Sequence, residues 1–122
     1  MAITTVQAAM SGVPFSLQAA GATTGAGTVL AIPVSFRNHV FQVTGAAGVT
    51  SGAVQIEGSF DPNDAGTWGL IVAAPTTVVA GQDTLIQVNA MLPPIIRARI
   101  STTIAGGTTP GVTVLYVGAK SY

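Results

Sequence analysis

Charged side chains are scarce in this chain. Four basic and four acidic residues stand among 122, which is 7% of the total and leaves zero net charge. An ordinary soluble domain carries about 25% charged residues. Ionic surface keeps free proteins apart, and a net charge near zero promotes association. The composition therefore points to a surface covered by neighbours. It also excludes nucleic acid as a partner, because phosphate binding needs clustered Lys and Arg, and the only close pair is Arg97 and Arg99. Cysteine is absent altogether. That excludes disulfide frameworks, thiolate zinc sites and cysteine nucleophiles. Long apolar runs are missing too. The longest, 29–34 and 68–75, fall far short of the roughly 18 residues of a membrane span, so no membrane partner is expected. The opening residues, Met1 to Val6, lack the basic n-region of a secretory signal.

What is present reads as all-β. Hydrophobic residues make up 48% of the chain and glycines number fifteen, and the apolar period is two rather than 3.6. In 53–60, Val54, Ile56 and Phe60 face one way while Gln55, Glu57 and Ser59 face the other. In 95–101, Ile96, Ala98 and Ile100 oppose Arg97 and Arg99. Segment 111–118 repeats the alternation with both faces apolar. Further strands are expected over 13–18, 28–35, 39–44, 68–73 and 84–89, separated by turn chemistry such as Asp61-Pro62-Asn63-Asp64 and Pro93-Pro94. About eight short strands at this spacing predict an antiparallel β-sandwich, jelly-roll-like, over residues 13–122. Pro33 has no N–H to give a ladder, which puts its strand at an edge or a bulge. Residues 1–12 read as an N-terminal arm outside the sandwich, although 5–11 has some helical character with Gly12 as a stop.

Candidate chemical sites fail on inspection. His39 is the single histidine, so any Ser-His-Asp arrangement must use it. Its strand alternation places it with Phe41 and Val43, toward the core or its rim. No Gly-x-Ser-x-Gly elbow accompanies it, and one imidazole without cysteine makes a poor metal site. Glu57, Asp61 and Asp64 invite a glycosidase or calcium reading. The loop from Asp61 has Ala65 where a calcium loop needs an oxygen ligand and Val72 where it needs a bidentate Glu. The glycines around Gly25-Ala26-Gly27 lack the Lys and spacing of a phosphate loop. No enzyme activity, cofactor or metal is expected. Trp68 could stack on a sugar, but with aromatics at 6% the plainer reading is that it closes the core beside Phe60. The threonines come as adjacent pairs such as Thr102-Thr103, which on a strand point to opposite faces and make no ice-binding array.

The segment Val54-Gln55-Ile56-Glu57-Gly58-Ser59-Phe60-Asp61, with Trp68 following, resembles a pattern in small virion proteins of tailed bacteriophages. There a strand ending in Ser-Leu-Asp-Gly leads into a loop and a Trp. Ile95-Ile96-Arg97-Ala98-Arg99-Ile100 looks like their companion strand. Together the motifs cover about a third of the chain. The sequence departs from the pattern at Phe60, which stands for Leu, and at 62–67, which replaces a tight glycine turn. The resemblance implies a β-sandwich that binds a virion lattice, often as a trimer.

The resulting expectation is a capsid decoration (cement) subunit on the virion surface. Its partners would be the major capsid protein and its own copies. A tail or head-fibre component is the nearest alternative, and a carbohydrate-binding module comes from another class. The contact residues expected are Ile3, Val6 and Met10 on the arm and Arg97 and Arg99 on the polar face of a strand near Glu57. Closed symmetry is the usual way to hide a surface so poor in charge. Native mass spectrometry at micromolar concentration should therefore show a homo-oligomer, a trimer in this reading; a clean soluble monomer would contradict it.

Overall fold

A computed structural model describes residues 3–5, 14–60, 67–72, 75–78, 80–81 and 83–120 of the chain. Among the described residues there are eleven strands and no helix. The strands are β1 (Ile3–Thr5), β2 (Phe15–Gly21), β3 (Gly25–Ala26), β4 (Val29–Ala31), β5 (Phe36–Gly45), β6 (Ser51–Ser59), β7 (Gly69–Leu70), β8 (Thr76–Thr77), β9 (Asp83–Val88), β10 (Ile95–Ala105) and β11 (Val112–Lys120). They form two sheets. One runs β1-β4-β10-β6-β7, with β3 also on β10 and β8 also on β6; the other runs β2-β11-β5-β9. All pairings but one are antiparallel.

The long strands arise where the sequence alternates. β10 lies against β6 from Ile95↔Ser59 to Ala105↔Ser51, which sets Ile96, Ala98 and Ile100 in one row with Val54 and Ile56. These side chains are buried. Facing them from the other sheet are Leu17, Phe36, Phe41, Val43, Val112, Val114 and Tyr116, and the two rows make one continuous apolar core. The all-β sandwich expected from the sequence is the architecture found. Buried aliphatic side chains contribute about 1.5–3 kcal/mol each relative to exposure, so this interlocked core supplies the driving force that few ionic contacts here could provide.

Departures from the expected elements have physical reasons. Strand 28–35 shortens to β4, because Pro33 cannot donate to a ladder; the Ile32 amide instead bonds the Pro94 carbonyl, and Phe36 closes a turn onto Pro33. Strand 68–73 shortens to β7. Phe60 lies beyond the end of β6 and is 79% exposed, so it is not a core residue. On that side of β6 the inner position falls to Gly58, where an added Cβ would stand 2.8 Å from the ring of the half-buried Pro93, so Pro93 covers that position instead. Ile3–Thr5 of the expected arm pairs in parallel with β4 of its own chain. Val6 and Met10 lie outside the described residues, as do Asp61 and Asp64.

One close approach depends on glycine. Gly48 and Gly107, in the turns after β5 and β10, have φ of 82° and 80°. A Cβ on Gly48 would come within 2.7 Å of the Gly107 Cα, and one on Gly107 would collide with the Ala47 carbonyl oxygen. Backbone held in this left-handed region costs a non-glycine residue about 1–3 kcal/mol before any clash. Gly107→Ala should therefore lower the melting temperature by several degrees while leaving the circular dichroism of the folded protein all-β. An unchanged melting temperature would show that the two turns are not in contact in solution.

Candidate interaction surface

The outer face of the larger sheet carries the polar residues of β6 and β10. Arg97 lies directly across from Glu57, and Arg99 across from Gln55. The Arg97 Nε donates to Glu57 Oε1 at 2.8 Å, with the two side chains 17% and 6% exposed. Gln55 donates from its side-chain amide to the other Glu57 oxygen. The Arg97 guanidinium sits 4.0 Å from the centre of the Trp68 ring. Gln55, Glu57, Arg97 and Trp68 thus form one stack, in which both carboxylate oxygens are engaged and the cation is covered by an indole. Trp68 belongs to this outer stack and does not close the core beside Phe60, because the ring follows Arg97 out of the sheet. Arg99 is brought to the same face but stays exposed.

Beyond the stack the surface becomes apolar. Leu70 is the partner of Glu57 on the β7 side. With Phe60, Met91, Ile71, Leu92 and Pro93 it surrounds a groove of about 510 Å³, and among the described residues no charged one lines it. Phe60, Met91 and Leu70 stand on its rim, 79%, 57% and 48% exposed. A second apolar strip crosses the outer face of the smaller sheet, where Leu85, 67% exposed, lies in register with Gln42, and Val40 with Val117. At the opposite end of the sandwich a wider depression is lined by threonine, glycine, alanine and proline.

His39 is fully buried. Its Nδ1 lies 2.8 Å from the Tyr116 hydroxyl and its Nε2 lies 3.0 Å from the Ala90 carbonyl oxygen. Both ring nitrogens are therefore occupied within the fold, and the imidazole offers no free position for a nucleophile or a metal. Burial pushes its pKa below the ordinary value; the Ala90 carbonyl and the Phe36 backbone oppose that shift. Burial also pushes the Tyr116 hydroxyl well above its ordinary value. Among the described residues no three His, Asp or Glu side chains gather as a metal group would need.

Sequence reasoning named Arg97 and Arg99 near Glu57 and passed over Leu70 and Met91. Met91 follows Asn89-Ala90 and precedes Leu92-Pro93-Pro94, an apolar residue set among turn-formers. That pattern is the one available sign that it is presented at the surface. Compared with family models, with curated proteins and with solved structures, the chain has no match in any of the three.

The stack makes a sharp energetic claim. Removing one partner of a buried ion pair leaves the other desolvated, at a cost of about 3–5 kcal/mol. Arg97→Met should approach that loss in chemical denaturation, since Glu57 is almost wholly enclosed. Adding Glu57→Gln should recover most of it. A loss below about 1 kcal/mol, the range of exposed pairs, would show that Glu57 reaches water.

Proposed function

We propose that the chain is a non-enzymatic structural subunit of a tailed-phage virion, a capsid decoration protein that docks on the major capsid protein lattice and reinforces it. The observation that carries the reading is the ring of exposed Phe60, Leu70 and Met91 around a groove lined by no charged side chain among the described residues, on a chain with so little charge to keep it apart from its neighbours. Exposed apolar patches rimmed by polar residues mark interaction sites. The two motifs that resemble the phage proteins lie on β6 and β10, and their Glu57, Arg97 and Trp68 pack into one stack beside the groove. In this reading the groove supplies binding energy by apolar burial, at about 25 cal/mol per Å², and the stack fixes the orientation of the docked subunit. The strip of Leu85, Val40 and Val117 serves as the contact between copies.

Co-sedimentation with shells assembled from the major capsid protein encoded in the same genome tests this reading. The wild-type chain should pellet with the shells. Phe60→Ser combined with Met91→Ser should leave the melting temperature within a degree or two, because both side chains are exposed, and should weaken binding at least tenfold, as loss of interface anchors does at about 2 kcal/mol or more. Failure of the wild-type chain to pellet would refute the decoration reading. Undiminished pelleting of the double variant would refute docking through the groove.

A further inference from the structure

The groove has one wall that is not part of a ladder. Asn89 to Pro94 connects β9 to β10 and supplies Ala90, Met91, Leu92 and Pro93 to the lining. Ala90 is exposed, yet its carbonyl is the one His39 grips from inside the sandwich. The remainder of the cage around the ring consists of strands held in register. Gly118 of β11 and Val88 of β9 lie directly across from His39 on either side, and the ring of Tyr116 stacks beside it with centroids 5.9 Å apart.

Proton positions in this cage are dictated by chemistry. A backbone carbonyl only accepts, so the His39 Nε2 must carry the hydrogen that bonds Ala90. In the neutral ring Nδ1 is then an acceptor, and the Tyr116 hydroxyl must donate to it. One neutral tautomer satisfies every group. A second proton has to go on Nδ1, where it meets the phenolic hydrogen head-on. The phenol must then turn that hydrogen away from the ring, at a hydroxyl packed so closely on Gly118 that an added Cβ there would collide with its oxygen. Protonation also creates a buried cation with no counter-charge among the described residues, and the Ala90 and Phe36 backbones that favour the charged ring do not outweigh its desolvation. Of the side chains facing the ring, Tyr116 from β11 is titratable and stays neutral, Val88 from β9 and Phe36 and Phe41 from β5 are apolar, and Arg37 of β5 is exposed. The one ion pair among the described residues, Arg97–Glu57, lies on the outer face of the other sheet.

We propose that His39 is an acid-responsive latch: in its neutral form it pins the Asn89-to-Pro94 wall of the groove through Ala90, and its protonation releases that wall. The imidazolium needs water, and the least costly opening lies through the segment outside any ladder. Release moves Met91, Leu92 and Pro93 together, so the groove is intact at neutral pH and lost in acid. The sign follows from linkage. Because the folded protein lowers the pKa of His39 from 6.5, its contribution is fully present above that value and is lost as pH falls through the lower folded-state value. The latch is a property of the isolated chain and does not depend on what the groove receives.

Nuclear magnetic resonance of the ring nitrogens and of amide hydrogen exchange tests it on the free protein. At pH 7.5 His39 should be the Nε2–H tautomer. Between pH 7.5 and 5, after correction for intrinsic exchange, the amides of residues 89–92 should lose at least tenfold more protection than those of β6 and β10. His39→Gln keeps an amide donor for Ala90 without a titrating group, and should hold residues 89–92 protected across that range. Should that variant fail to fold, Tyr116→Phe removes the donor to Nδ1 and should move the onset of opening to higher pH. An Nδ1–H tautomer, an equal loss of protection across all strands, or the same acid opening in His39→Gln would each overturn the latch.

Discussion

The pairing of β6 with β10 is the constraint on which the remaining structure hangs. Its register runs from Ile95↔Ser59 to Ala105↔Ser51 and assigns each residue of both strands to a face. The inner row of Val54, Ile56, Ile96, Ala98 and Ile100 is what the smaller sheet packs against. The outer row holds Glu57 against Arg97, and Trp68 packs onto that pair. A slip of one residue would send the charges inward and the aliphatic side chains out, so core and outer stack enforce one another. Interruptions in the pairing fall after Ile100, away from the stack.

From that pairing the groove follows. β6 ends at Ser59 and the chain turns outward, which exposes Phe60. β7 returns beside Glu57 and Gly58 and presents Leu70. β10 begins at Ile95, so the chain leading into it must cross the same end, bringing Met91 to Pro93 opposite Phe60. Three chain segments thus meet where both strands terminate. Among the described residues none carries a charge there, and the two nearest on the sheet, Glu57 and Arg97, neutralise one another.

Much of the sandwich was legible because alternation with period two is a strong local signal. It marked β6, β10 and β11, and it put Arg97 and Glu57 on one polar face. It misled at Phe60, where the pattern was carried past the strand's end; the last inner position of β6 is Gly58, covered by the half-buried Pro93 of a distant turn. Strands of two or three residues such as β1, β3, β7 and β8 are too short to show any period, and their existence depends on what long strand lies beside them. The His39–Tyr116 contact joins positions 77 apart in sequence, and no local pattern announces it. The exposure of Leu70 and Met91 was hidden for the same reason, since apolar residues are expected inside until the packing leaves them out.

In the proposed docking, the Phe60–Leu70–Met91 groove is the surface this chain buries against its partner. Hydroxyl-radical footprinting of the free and shell-bound protein addresses it side chain by side chain. Oxidation of Met91 and Phe60 should fall several-fold on binding. Oxidation of Met91 and Phe60 at the same rate in both states would contradict it.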